Sequence, residues 1–335
     1  MFNAPFVRDS VLQPGWIDLG IGEARLIRRA LENTLGVDFL LRSEDSELDY
    51  QPAQGNPALL SEIETLHEAP CVVTIGAKQG VYAALAVAKQ RGCRRVGMRD
   101  PAWPPLVHAA QTLGLEVVLC EPTDGRFDCF LLVSPNNPDG FKHTQFELEV
   151  IEAKLKMDGK FLIHDAAYHC MPYAAARSIA VGDVQVVSVS KRFGLSGLRV
   201  GWAVARDESV VADLQDVVET MSAGVCGTAQ GAVAKLLRRL RLNPRLAELF
   251  EEECATSYAQ SRSAAMTFNP DVLKIGGGLP TGAFAWCEKG PKYDAEKLKA
   301  KLVDGSAYGH PSRVRVNLVG DVQDVRELAR RTYQI

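Results

Sequence analysis

Between residues 71 and 202 the chain alternates short β-branched or apolar runs with longer stretches in which apolar residues recur at helical spacing. The runs over 72–75, 95–98, 116–119, 130–133, 161–163, 184–189 and 200–204 predict seven strands. Strands separated by helical segments predict an α/β fold with a mainly parallel sheet covered by helices. After residue 207 the texture changes to long amphipathic helices over about 210–222, 229–241 and 245–264. A Gly-rich turn at 276–278, a strand over 283–287, a helix from 294, a strand over 313–318 and a last helix from 322 follow. Helices followed by a few strands predict a smaller α+β domain. The division is a large domain over 41–206 and a small domain built from 207–335 together with 1–40, whose first part forms an N-terminal arm.

Composition narrows the function classes. The 335 residues carry 38 Lys and Arg against 41 Asp and Glu, a formal net charge of -3, so no overall field recruits nucleic acid or an acidic membrane. No apolar run approaches the ~20 residues needed to span a bilayer, and the opening MFNAPFVRDS lacks the basic start and apolar core of a secretory leader. The eight cysteines show no CxxC pair and no metal-ligand spacing, as expected of reduced thiols in a cytoplasmic protein. No metal is predicted. A small-molecule site is the remaining class.

The polar residues point to where that site lies. Apolar strand runs are followed at once by Gly76-Ala77-Lys78, Asp100-Pro101-Ala102-Trp103, Ser134-Pro135-Asn136-Asn137, His164-Asp165 and Ser188-Val189-Ser190-Lys191. In open parallel sheets ligands bind beyond the carboxyl ends of the strands, so these groups are expected to converge. A full GxGxxG is missing over 72–80, which argues against a dinucleotide site.

Lys191, at the end of a buried run, is costly to keep charged and becomes an amine nucleophile toward an aldehyde. Pyridoxal 5'-phosphate supplies such an aldehyde, and Asp165 suits the partner that keeps its ring nitrogen protonated. The amides of Ala77 and Lys78 at a helix start, with Ser188, Ser190 and Arg199, suit its phosphate. Trp103 suits a stacking partner for the ring.

The stretch from Ser188 to Gly201, SVSKRFGLSGLRVG, resembles the SxSKxxGLxGxRxG signature of the class I/II aminotransferases among the fold-type-I pyridoxal-phosphate enzymes. YQPAQG from Tyr50, TIGA from Thr74, DPAWP from Asp100, SPNNPDG from Ser134, HDAAY from His164 and RVNL from Arg315 follow in the family's order. The resemblance implies that Lys191 is the Schiff-base lysine, that Asp165 holds the pyridine nitrogen, and that Asn137 and Tyr168 hydrogen-bond the ring oxygen. It implies that Ser188, Arg199 and the amides of Ala77 and Lys78 grip the phosphate, that Arg315 clamps the substrate α-carboxylate, and that Gly22 lets the backbone approach the substrate. Tyr50 would reach the phosphate in a neighbouring subunit, which implies a homodimer with shared sites. The substrates would be an amino acid and a 2-oxo acid.

The sequence also departs from the pattern. Tryptophan at 103 is as in aspartate aminotransferases, yet Leu106 stands where those enzymes carry a histidine supporting the ring-nitrogen aspartate, leaving His164 and His169 as substitutes. NPDG replaces the commoner NPTG, a variation of the alliinase and tryptophan-pyruvate aminotransferase branch. The lysine signature is closer to histidinol-phosphate aminotransferases, without their NENP opening. Transamination by ping-pong is the expected activity. Elimination or decarboxylation on the same fold, or an aminotransferase-like binding protein without turnover, are the alternatives.

Overall fold

The computed structural model describes residues 12–20, 22–38, 44–169, 181–276 and 281–335. In chain order the strands are β1 (Ile17–Asp18), β2 (Cys71–Thr74), β3 (Arg95–Met98), β4 (Glu116–Leu119), β5 (Cys129–Val133), β6 (Phe161–Asp165), β7 (Val184–Ser188) and β8 (Gly201–Val204). They continue as β9 (Leu273–Ile275), β10 (Phe284–Lys289), β11 (Ala300–Lys301), β12 (Val303–Asp304) and β13 (Arg313–Asn317). The main sheet has seven strands in the order β2-β8-β7-β6-β5-β3-β4, with β8 antiparallel to both neighbours and the other ladders parallel. The expected α/β class and seven-stranded, mainly parallel sheet are what the chain forms.

Small offsets from the predicted strands have local causes. The first ends at Thr74 because Ile75 is already the residue before the helix Gly76–Gln90. The strand predicted over 184–189 stops at Ser188, whose hydroxyl accepts the Ser190 N–H and caps the one-turn helix Val189–Arg192. The strand predicted over 161–163 runs on to Asp165, so this carboxylate is the last strand residue. The helix expected from 294 is a single turn, Ala295–Leu298, capped by Asp294. Of the predicted glycine turn, Gly276 follows β9, while 277 and 278 lie outside the described residues.

Alternation sorts the sheet into two faces. Cys71, Val73, Val187, Trp202 and Val204 face one core, with the helices Pro57–His67 and Gly227–Leu242. Val72, Ile163, Val184, Val186 and Ala203 face the other, with the helices Gly76–Gln90 and Glu208–Ser222. From the edge strand β2 the helix Gly76–Gln90 crosses over β8, β7 and β6 before the chain enters β3. Gly80 permits that crossing: a Cβ there would stand 2.8 Å from a Val186 methyl. The helix start is thereby placed over the middle of the sheet.

A four-stranded antiparallel sheet, β12-β13-β10-β9, lies beside a parallel pair of β1 with β11. Leu19, Phe268, Val314, Val316 and Leu328 form its core. The helix Arg25–Leu35 packs on the long helix Pro244–Ala265. The two sheets meet where the loop after β5 presses on β10. Gly140 lies so close to the Phe284 carbonyl and to Gly282 that a side chain would not fit.

Candidate active site

Two clusters form beyond the carboxyl ends of the central strands. The first is a cradle of donors. Ser188 Oγ donates to Ser190 Oγ at 2.9 Å, and Arg199 Nη1 donates to Ser190 Oγ at 3.4 Å and to the Ser196 carbonyl at 2.9 Å. Gly76, at φ +67°, lies against the same guanidinium, where a Cβ would stand 2.7 Å from Nη2. Gly201 is equally tight: a Cβ there would lie 3.0 Å from the Ala77 nitrogen. No side chain caps the helix that begins at Gly76, so the N–H groups of Ala77 and Lys78 face the cradle with the positive end of the helix dipole behind them. Burial, then the charge of Arg199, pushes the Lys78 ammonium down. Its Nζ sits 5.1 Å from the centre of the Trp103 ring.

The second cluster joins the two sheets. Arg315, on β13, is 3 % exposed, whereas Arg313 on the same face is half-buried and paired with Glu288 at 3.1 Å. Arg315 Nη1 donates to Asn137 Oδ1 at 2.7 Å and to the Tyr308 hydroxyl at 3.0 Å, and Nη2 donates to the Gly20 carbonyl. Its guanidinium carbon lies 4.2 Å from the centre of the Phe284 ring. The Tyr308 hydroxyl donates to Asn137 Oδ1 at 3.1 Å, and Asn137 Nδ2 donates to the Tyr168 hydroxyl at 2.9 Å. Burial pushes the Tyr168 phenol up and that of Tyr308 up to about 12, so both are neutral donors. Gly22 completes the wall. A Cβ there would lie 3.1 Å from the Phe284 ring and 3.9 Å from Tyr168.

Strand geometry sets the side of the sheet on which Asp165 lies. Alternation puts Asp165 on the face of Ile163 and Ser188 on the face of Val186, and the β6–β7 register pairs Asp165 with Val186. Asp165 is therefore on the same side as the helix Gly76–Gln90. Its carboxyl accepts the Ala167 N–H at 2.9 Å and is buried, which lifts it from 3.8 to about 6. Lys191 is half-buried, one residue beyond Ser190. The next residue, Arg192, lines with Tyr168, Phe250 and Tyr258 a partly enclosed pocket of about 80 Å³.

The two histidines anticipated as substitutes in the support of Asp165 are placed differently. His164 precedes Asp165 on β6 and projects to the opposite face. The His169 ring is pushed down to about 2 by burial and then by the charges of Lys142 and Arg192, and is neutral. Leu106 is buried in the apolar core. The backbone N–H of Ala167 is the donor that Asp165 has among the described residues. Tyr50 is 93 % exposed on a loop beside residues 222–228 and joins neither cluster within this chain.

Sequence reasoning missed Tyr308 and Phe284. Tyr308 sits in the short turn Gly305–Tyr308, with no strand-end pattern to mark it. Phe284 opens β10 and reads as an ordinary core aromatic.

The sequence profile of the aminotransferase class I and II family matches residues 14–331. The chain belongs to this family. Members depend in general on pyridoxal phosphate and act on amino acids and 2-oxo acids. Tryptophan aminotransferase-related protein 2 of Arabidopsis thaliana is 35% identical over 212 residues, which cover 56% of this chain and 46% of that protein. Threonine-phosphate decarboxylase of Pseudomonas aeruginosa is 33% identical over 143 residues, 40% of this chain and 42% of that protein. The chain spans less than half the length of the tryptophan aminotransferase-related proteins it matches. Among solved structures, the Thermus thermophilus aspartate aminotransferase with maleate superposes with a TM-score of 0.75 at 19% identity, over 95% of this chain and 91% of that one. At that identity the likeness concerns the aminotransferase fold. Among the described residues no helix is long and apolar enough to cross a membrane.

Proposed function

We propose that this member of the aminotransferase family transfers an amino group between an amino acid and a 2-oxo acid, using pyridoxal 5'-phosphate, by ping-pong alternation of the two substrates in one site. The observation that carries the reading is the buried chain of hydrogen bonds from Arg315 through Asn137 to Tyr168, whose phenol feels the charge of the buried Asp165 carboxyl. The donor set fits the cofactor. The cradle of Ser188, Ser190, Arg199 and the Ala77 and Lys78 amides has the donors and positive charge a phosphate needs, in a space that a Cβ at Gly76 or Gly201 would invade. Asp165 has a single described donor and gains from a cationic ring N–H.

When bound, pyridoxal phosphate supplies an aldehyde that reacts with amines and a ring that takes up carbanion charge. In this proposal the Lys191 amine would hold the aldehyde and, when released from it by the substrate amine, would serve as base toward the substrate α-carbon proton and then as acid. Asp165 would keep the ring nitrogen protonated, Asn137 with Tyr168 would donate to the ring oxygen, and Trp103 would stack on the ring. Arg315 orients the substrate by its carboxylate, and Gly22 leaves room for the substrate backbone. Tyr50, pointing into solvent, serves the site of a neighbouring subunit, so the working unit is a homodimer. The scattered cysteines, without a CxxC pair, support a cytoplasmic setting.

The test is a panel of amino acids mixed with cofactor-loaded protein, with the products identified. An oxo acid formed up to one equivalent of cofactor without acceptor, and beyond that only as an acceptor oxo acid is consumed, supports transamination. Pyruvate with ammonia, or carbon dioxide, from a single substrate would replace it with the elimination or decarboxylation that the same lysine and aspartate also serve. No spectral change with any amino acid would leave a binding protein.

A further inference from the structure

The helix Gln145–Met157 is apolar on two sides. Leu148, Leu155 and the half-buried Ile151 pack against Phe127, Phe130 and Leu162. On the opposite side Phe146, Val150, Ala153 and Met157 form a straight stripe at spacings of four, three and four residues, the pattern of a helix-pairing seam. Phe146 is 74 %, Val150 50 % and Met157 85 % exposed, and Ala153 is exposed as well. Single exposed apolar residues are ordinary on any surface. Four in line on a helix already held by its other face are an unpartnered contact surface.

The charges flanking the stripe say what would cover it. Glu149 and Lys156 lie along one flank, Glu147 and Lys154 along the other, and all four are exposed. When a second copy of the helix is laid antiparallel across a two-fold axis passing between Ile151 and Glu152, Phe146 meets Met157 of the second copy and Val150 meets Ala153 of the second copy. In an antiparallel pair each flank meets the same flank of the other helix. Glu149 then faces Lys156 of the second copy, Glu147 faces Lys154 of the second copy, and the two-fold repeats each pair. A parallel pairing, whose two-fold runs along the helices, sets opposite flanks together and so brings Glu149 beside Glu147 and Lys156 beside Lys154 of the second copy, like charge against like. We propose that this stripe is a self-interface through which two copies of the chain, or two of its dimers, associate antiparallel.

Existing contacts leave these charges available. One Glu147 oxygen is engaged with the Thr144 N–H and hydroxyl that cap the helix, so the other is the one that pairs. Lys154 gives one of its three N–H donors to Asp158. Glu152, which sits at the two-fold, is held down on the body of the protein by Arg206 and the Gly182 N–H. A 13-residue helix is about 20 Å long, so the contact is smaller than a standard interface and the association is weak and concentration-dependent.

Sedimentation velocity of the full chain from ~1 to ~300 µM tests it, a range that brackets contacts of this size class. The expected result for the wild type is a smooth rise from the basic unit, whether monomer or Tyr50-side dimer, toward twice that mass. Phe146→Glu weakens the rise at least ten-fold. Lys156→Glu, which sets like charges against each other twice, also weakens it, and Glu149→Lys combined with Lys156→Glu restores it. Circular dichroism confirms that the variants are folded, which is expected of changes at exposed positions. A wild type that keeps its unit mass throughout, a Phe146→Glu protein that associates as the wild type does, or a double swap that fails to recover association overturns the proposal. These readouts are independent of catalysis and of cofactor binding.

Discussion

The cofactor-free chain should lose stability as the buried Asp165 ionises, and the loss can be measured. Its carboxyl is lifted from 3.8 to about 6 by burial, with only the Ala167 N–H opposing. A raised carboxyl binds its proton more tightly in the folded than in the unfolded chain. The stabilising contribution is therefore complete below about pH 4 and falls away as the pH rises through about 6. The full difference is about 3 kcal/mol, of which about 1.4 kcal/mol is lost between pH 5 and pH 7.5. Asp165→Asn removes the ionisation while keeping shape and hydrogen-bonding capacity. Reversible urea unfolding of both proteins without cofactor should show the variant gaining about 1.4 kcal/mol on the wild type across that interval. Saturating pyridoxal phosphate should abolish the gain, because the carboxylate then has a cationic partner. A difference between the two proteins that does not vary with pH would refute the reasoning, and a pH effect that persists with cofactor bound would remove Asp165 from the ring-nitrogen role.

Lys191→Ala should eliminate borohydride trapping of cofactor on the chain and lower turnover by at least ~10³-fold; trapping at the wild-type level would exclude this lysine. Tyr308→Phe removes a hydroxyl hydrogen-bonded to both Arg315 and Asn137, and at about 1.5 kcal/mol for a bond to a charged group should raise KM for the amino acid roughly ten-fold with a smaller change in kcat. Gly76→Ala forces a Cβ toward Arg199 at a positive φ, so cofactor affinity should fall, and folding stability by about 1 kcal/mol, measured by titration and urea melts. Tyr50→Phe at an almost fully exposed position should leave the unfolding free energy within about 0.5 kcal/mol of wild type. Cofactor titration should nevertheless show weaker binding, and equal affinities would argue against sites shared between subunits.

The strand ends were legible because β-branched runs stop where a polar residue caps the next element, as Ser188 does for the turn carrying Lys191. The same signal revealed Asn137, Asp165 and the Gly76 helix start, since each follows an apolar run by one to four residues. Pattern was silent where pairing rather than composition makes the structure. β1, β11 and β12 are two residues long and β9 three, too short for periodicity to register. Tyr308 and Phe284 join the site from more than a hundred residues away, through the packing of one sheet on the other, which no local spacing encodes. His164 was a candidate by proximity in sequence, but in a strand the next residue is the one that faces away.

Asn137 Oδ1 accepts from both Arg315 and Tyr308, while its Nδ2 holds Tyr168. A carboxylate taken by Arg315, as proposed, would compete with that one oxygen for the guanidinium. In the proposed function, occupancy at one edge of the crevice would thereby reach, through the rotation of a single amide, the phenol at the other.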